Sequence, residues 1–398
     1  MNKSMQWPVA LGSGLVLSLG LLAPVARAAP AAAVASGSTG VAAISTVAAN
    51  TATTAKVALP TGWRTRQAAV AAKLHLDVTP AREAVDRALN PDDYTCGPTD
   101  LDAYVDRLLS GMDAGTLDFL SNSGVLDFPT YDALLFGSDT DARYALTPDY
   151  RQQLSKTFRD VKRFWDISSS DIQLHAMHGS VLEDPVRLTR LLTVLYGLPK
   201  ARATTYAKEV VAKVAATPAF RGGDNPIFTL NAFAFSADGE GGIFAGVPDK
   251  LIFGDGILDA LAAMGISDVG PRAVMGHEFG HHVQYEDNLF DSPLTGAEAT
   301  RRTELMADAF GTYFATHSRG LALNAKRVLQ TEKTFYEVGD CVFDSPGHHG
   351  TPLQRERASA WGAQLANDAH KQGHILPSRT VAADFEAVLP KIVAPDAG

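Results

Sequence analysis

The run Val274-Met275-Gly276-His277-Glu278-Phe279-Gly280-His281-His282-Val283-Gln284 decides how this chain is read. His277 and His281 stand four residues apart. On a helix that spacing puts both imidazoles on one face, one turn apart, within reach of a single metal ion. Glu278 follows the first histidine, where a carboxylate can reach a water at the metal without ligating the metal itself. Zinc brings the pKa of such a water toward neutrality, and the carboxylate takes its proton. The stretch therefore predicts a helix to about Glu286, with Asp268 as N-cap and Pro271 in the first turn. His282 lies about 100° further around that helix and is expected at the surface or behind a ligand, not on the metal. Gly276 and Gly280 weaken the helix and point to close approach of a sheet or of a second helix.

A catalytic zinc needs a third protein ligand and a position left open to water. Arg302-Thr303-Glu304-Leu305-Met306-Ala307-Asp308 offers one inside a second predicted helix, Ala297 to His317. Glu304 follows His281 with room for a loop and a returning helix. Asp308 comes one turn later on the same face, placed to accept the other N–H of a ligand imidazole and fix its tautomer.

At these residues the chain resembles the gluzincin zinc metallopeptidases. Glu304-Leu305-Met306-Ala307-Asp308-Ala309-Phe310 is similar to the E-L-x-A-D-x-F of bacterial neutral zinc metallopeptidases. Asn231-Ala232-Phe233-Ala234 looks like the N-A-F-A segment of HtpX-like gluzincins, where, as here, it precedes a glycine-rich hairpin and the motif helix. The resemblance covers about Ile227 to Gly362. It implies one zinc ion held by His277, His281 and Glu304, with Glu278 as general base. It also implies an edge strand near Asn231, Ala232 and Phe233 that pairs with extended substrate backbone. A further stretch, Gly347-His348-His349-Gly350-Thr351-Pro352-Leu353-Gln354-Arg355, is similar to the H-G-T/S-P-x-x-R run found late in such peptidases. By that likeness His349 stabilises the oxyanion formed when water adds to a carbonyl, and Arg355 braces the loop or orients Asp308. The chain departs from the membrane-bound members in lacking their transmembrane helices, and its third ligand follows the motif sooner.

The N-terminus reads as an export signal over residues 1–28. Lys3 gives a positive start, Val9 to Leu22 is apolar, and Ala26-Arg27-Ala28 is a small-x-small cleavage site. The apolar run is short for a membrane span of about 20 residues, although a retained anchor is the alternative. Residues 29–60 form a leader rich in Ala, Val, Ser and Thr, uncharged until Lys56. A helical region over 61–160 then precedes the catalytic domain, 161–398. Leu101, Val105, Leu108, Leu109 and Met112 repeat at helical spacing behind Thr99 and Asp100; Tyr150 to Trp165 and Pro185 to Leu198 are similar.

Strands are expected at Ile172 to Met177 and Ile227 to Phe235, and Pro248 to Gly254 reads as a turn and a short strand. Phe233 and Phe235 share a face of the second, and Asp238-Gly239-Glu240-Gly241-Gly242 forms a loop after it. A helix follows from Gly256 to Met264. His175 and His178, in and just after the first strand, read as packing or surface residues. The expected fold is α+β: mostly helical and zincin-like, with a small twisted sheet over the motif helix and an extra N-terminal helical region. Zinc and substrate would lie in the cleft between sheet and helical lobe.

The chain carries a net charge of −9. Losing the signal removes Lys3 and Arg27 and no acid, so the charge deepens by two. With no basic cluster, nucleic acid is excluded as a partner. Two cysteines in an exported chain, Cys96 and Cys341, are expected to form one disulfide, with two free thiols as the alternative. The function expected is an exported zinc peptidase, in a bacterial periplasm or medium. It would act on a peptide or protein substrate, with no membrane span once the signal is removed. Endopeptidase is favoured because nothing resembles a site for a free amino terminus. The alternative is a catalytically silent binding or chaperone protein on the same scaffold.

Overall fold

The computed structural model describes residues 58–76, 81–82, 84–85, 98–237, 241–341, 347–368 and 373–395. The expected signal, most of the leader, Cys96 and Asp238-Gly239-Glu240 lie outside the described residues. Among those described the chain is mostly helical with one small sheet, an α+β arrangement, and Ala55–Gly398 forms a single compact unit.

The helices before the sheet are α1 (Trp63–Lys73), α2 (Asp100–Leu109), α3 (Ala114–Asn122), α4 (Phe128–Phe136) and α5 (Pro148–Phe164). Local chemistry sets their ends. Thr99 accepts from the Asp102 N–H while the Asp102 carboxylate accepts from the Thr99 N–H, a reciprocal cap that starts α2. Leu101, Val105 and Leu109 are then buried as their spacing demands. Pro148 opens α5, where the N–H it lacks would have no partner in the helix.

The sheet comprises β1 (Gln173–Met177), β2 (Ala232–Phe235) and β3 (Lys250–Gly254), with α6 (Pro185–Tyr196) and α7 (Lys200–Ala216) between the first two. β3 is central, parallel to β1 and antiparallel to β2. Both sheet faces are covered, and the two-residue period sorts the side chains. Ala176, Ala232, Leu251 and Phe253 face the main core. Met177, Phe233, Phe235 and Ile252 face a smaller cluster with Leu134 and Tyr144. Phe233 and Phe235 do share a face, as their spacing predicts. The second strand is shorter than expected, because Pro226–Phe228 forms a 3₁₀ turn whose Ile227 N–H donates to the Asn225 side chain at 2.9 Å.

Lys250 ties the sheet to α4. It is fully buried, and its ammonium donates to the carbonyls of Leu134 at 2.6 Å and Gly137 at 2.9 Å. A cation is favoured at that helix end, where carbonyls lack partners and the dipole is negative. Burial still lowers its pKa, to about 8.

The C-terminal part is α8 (Asp255–Ala263), α9 (Gly270–Asp287), α10 (Ala297–Thr316), α11 (Ala325–Glu337), α12 (Pro352–Asn367) and α13 (Ser378–Ile392). α9 carries the motif and packs against α5, β2 and α10; α10 packs in turn on α12. One expectation for α9 needs correcting. Its N-cap is Val269, not Asp268, whose carboxylate is drawn away to Arg272 at 3.1 Å and to Arg327. Its last turn closes on Asn288 in the left-handed conformation, one residue type that tolerates it.

Candidate metal centre

α9 and α10 meet at glycine contacts, and this closeness builds the site. A Cβ on Gly276 would lie 3.0 Å from the Gly311 Cα, and one on Gly280 would lie 3.1 Å from the Ala307 Cα. The glycines of the motif helix therefore accommodate the second helix. With the backbones so near, Glu304 on α10 reaches across to the histidines of α9.

His277, His281 and Glu304 are all buried, and one ligand atom of each lies within 4.8 Å of the others. The two Nε2 atoms are 3.2 Å apart; His277 Nε2 is 3.3 Å from Glu304 Oε2, and His281 Nε2 is 3.4 Å from Glu304 Oε1. Tetrahedral zinc with bonds of about 2.0–2.1 Å separates its ligand atoms by about 3.3 Å.

The tautomers point the same way. His277 Nδ1 sits 2.8 Å from Asp308 Oδ1, so it carries the proton and leaves Nε2 with a lone pair. His281 Nδ1 sits 2.8 Å from Gln284 Oε1. The orientation of that amide is fixed, because Gln284 Nε2 donates to the Thr303 carbonyl at 2.8 Å. The acceptor thus faces His281, whose Nε2 also holds a lone pair. Two imidazole lone pairs and a carboxylate converge in a buried space. Three acceptors facing one another repel unless a cation sits among them. Without a metal, a proton takes that part. Burial disfavours charged His277, but Asp308 and Glu304 outweigh it and raise its pKa to about 10. Burial opposes ionised Glu304 as well, yet the nearby His281 and His277 hold its carboxyl well below the usual range. The donor set of two imidazoles and a carboxylate suits zinc with one position open.

Around the triangle lies a second ring of contacts. Arg355 clamps Asp308 through Nε at 2.8 Å and Nη2 at 2.7 Å, so the later motif does orient Asp308. Glu278 is buried beside His277, close enough for its charge to act on that imidazole. His349 is near enough to Glu304 to help hold it ionised. Asp340 positions both loop histidines: His348 Nδ1 lies 2.5 Å from Oδ1, while the His349 N–H donates to Oδ2 at 2.7 Å with its Nδ1 3.0 Å away. Phe335 leans over His277, ring centroids 5.6 Å apart.

Asn231, Ala232 and Phe233 are buried at the edge of the sheet, and the Asn231 carbonyl accepts from the Gly254 N–H at 2.9 Å. His282 is not at the surface: it is fully buried and donates to the Lys250 carbonyl at 3.0 Å. Its 100° offset leads to the sheet instead of to solvent, because α9 is buried on nearly all sides. His175 packs inside, and His178 pairs with Asp255 at 2.5 Å. Gln284 and Asp340 are the participants that sequence reasoning missed. Gln284 carried a usable signal in its position one turn after His281. Asp340 carried none, since its two partners belong to a loop. Comparison of the chain with protein-family models, with curated proteins and with solved structures finds no match.

Proposed function

We propose that the protein is a zinc-dependent peptidase of the gluzincin type. The convergence of two imidazole lone pairs and one carboxylate, beside the buried carboxylate of Glu278, carries this reading. A bound zinc supplies a Lewis acid that acidifies a water molecule and polarises the substrate carbonyl. Glu278 takes the proton from the attacking water and passes it to the leaving amine. His349, oriented by Asp340, donates to the oxyanion as it develops. Asp308 and Gln284 keep the ligand imidazoles in the required tautomers, and Arg355 keeps Asp308 ionised. The edge position of β2 suits pairing with extended peptide, which favours an endopeptidase. The signal-like N-terminus supports export. Among the described residues no helix is long and apolar enough to cross a membrane.

The test pairs zinc content with casein cleavage for wild type and Glu278→Gln. One zinc in each, with cleavage by wild type alone, is expected. One zinc in each with no cleavage by either would instead favour a silent binding scaffold. No zinc in either would end the metal reading.

A further inference from the structure

The last turns of α5 carry Arg159, Lys162 and Arg163 at helical spacings of three and four, which puts three cations on one face in a chain of net charge −9. They line a recess of about 600 Å³ together with Phe158 and the run Ser168-Ser169-Ser170. None of these residues belongs to the metal triangle.

The fold makes no use of most donors around this recess. Among the described residues Arg159 and Arg163 make no hydrogen bond or ion pair, and the hydroxyls of Ser168, Ser169 and Ser170 make no hydrogen bond. The N–H groups of the three serines donate to no backbone carbonyl. Two acids of the stretch are committed elsewhere: Asp160 to Lys156 at 2.6 Å, and Asp166 to the Ser378 N–H at 2.9 Å. Asp171 acts on Lys162, where it favours the charge that burial opposes. A helix C-terminus attracts cations, which accounts for Lys162 and Arg163 in the last turn. It does not account for Arg159, one turn earlier and repelled by Arg163, or for the serines.

The recess is also held in shape. Lys162 donates to the Ile172 carbonyl at 3.3 Å, and its ammonium lies 5.0 Å from the centre of the Phe158 ring. Phe158 meets Phe279 of the motif helix edge-on, ring centroids 6.5 Å apart. The serine loop is pinned at both ends, by buried Trp165 and the bond from Asp166 to α13 before it, and by buried Ile172 after it.

We propose that this recess binds a tetrahedral oxyanion: the phosphoryl group of a phosphate ester, or its sulfate counterpart. Guanidinium groups present paired N–H donors that match such oxygens, and hydroxyl and backbone N–H donors complete the set. The volume exceeds that of the oxyanion alone, so it admits part of the carrier as well, a lipid headgroup or a small soluble ester. The inference stands on α5 and its loop and is independent of the zinc reading.

The zinc-loaded full chain is titrated with sodium sulfate in a calorimeter, with ionic strength held constant by chloride. Sulfate has the shape and charge of the phosphoryl group and is a poor ligand for zinc. One saturable site per chain is expected. Arg159→Gln should weaken it about tenfold or more, the loss of a hydrogen bond to a charged group. Arg159→Gln combined with Arg163→Gln should abolish it. Lys156→Gln removes the same charge from the same helix outside the recess and should leave binding unchanged. All three side chains are exposed, so the fold tolerates these changes. Vesicles of phosphatidylglycerol and of phosphatidylcholine then separate the carriers. Co-sedimentation with the first alone, lost in the double variant, assigns the group to a lipid headgroup; sulfate binding without vesicle binding assigns it to a soluble ester.

Absence of saturable sulfate binding by wild type would overturn the proposal. So would binding that survives the double variant, as sulfate on the zinc would. A loss in Lys156→Gln as large as in Arg159→Gln would also overturn it, because a diffuse field of charge would then explain the binding.

Discussion

Asp308 Oδ1 lies 2.8 Å from His277 Nδ1 and 2.7 Å from Arg355 Nη2, so one buried oxygen serves both the imidazole and the guanidinium. The sharing couples the first turn of α12 to the metal triangle. Asp308→Asn removes the charge that Arg355 neutralises and weakens the hold on His277. Zinc affinity should fall about 10- to 100-fold. Weakening this buried ion pair should also cost stability, at most about 3–5 kcal/mol. Chelator competition and urea unfolding measure the two effects. Unchanged zinc affinity would mean that Asp308 only braces the fold.

Gln284 performs for His281 the task that Asp308 performs for His277. Gln284→Leu keeps the volume and deletes the acceptor, so His281 loses the partner that fixes its tautomer. The expected loss is about tenfold or more in zinc affinity. Gln284→Glu retains an acceptor and should retain more of the affinity than Gln284→Leu. Equal affinities in the two variants would show that the amide does not orient His281.

The contact between α9 and α10 predicts an unusual sign for a glycine change. Gly→Ala inside a helix ordinarily stabilises by about 1 kcal/mol. At Gly311 a Cβ would lie 2.8 Å from the His277 backbone nitrogen and 3.0 Å from the Gly276 carbonyl carbon. Backbone atoms in a packed helix have nowhere to move, so the helices must separate. Gly311→Ala should therefore destabilise by about 1–3 kcal/mol, and it should weaken zinc binding because Glu304 rides on α10. A stabilised variant with normal zinc affinity would show that the contact can relax.

Helical periodicity made the centre of the site legible. His277, His281, Glu304 and Asp308 sit on two helices, where sequence spacing converts directly into a face. The glycines announced a close neighbour without saying which one. Residues outside that periodicity were harder to place. β2 begins later than its composition suggests, because Asn225 and Pro226 turn the chain first. Asp268 has a capping residue's chemistry, but two arginines occupy it. His282 looked peripheral only because nothing in the sequence shows that α9 is wrapped on nearly every side. Asp340 could not be found from spacing, since its grip on His348 and His349 is a property of loop geometry.

The last prediction concerns pH and a group remote from the metal ligands. His175 is buried in β1, 2.9 Å from Gln173 Oε1, with the Lys250 ammonium nearby and Asp139 3.9 Å away. Burial first, and then the Lys250 charge, lower its pKa from 6.5 to about 4. The unfolded chain therefore binds a proton near pH 6.5 that the folded chain refuses until about pH 4. Protons favour whichever state binds them, so stability should fall as pH drops through this window and level off below it. The loss from this residue is about 3 kcal/mol in all. Ionised Glu304 and Asp340 act lower: both are held below the usual carboxylate range, so their contribution declines only as pH falls beneath about 4. His175→Gln keeps a polar partner for Gln173 without a titrating ring. Urea unfolding of wild type and variant between pH 4.5 and 7 should show a shallower slope for the variant. Parallel slopes would show that His175 does not set acid sensitivity in that range.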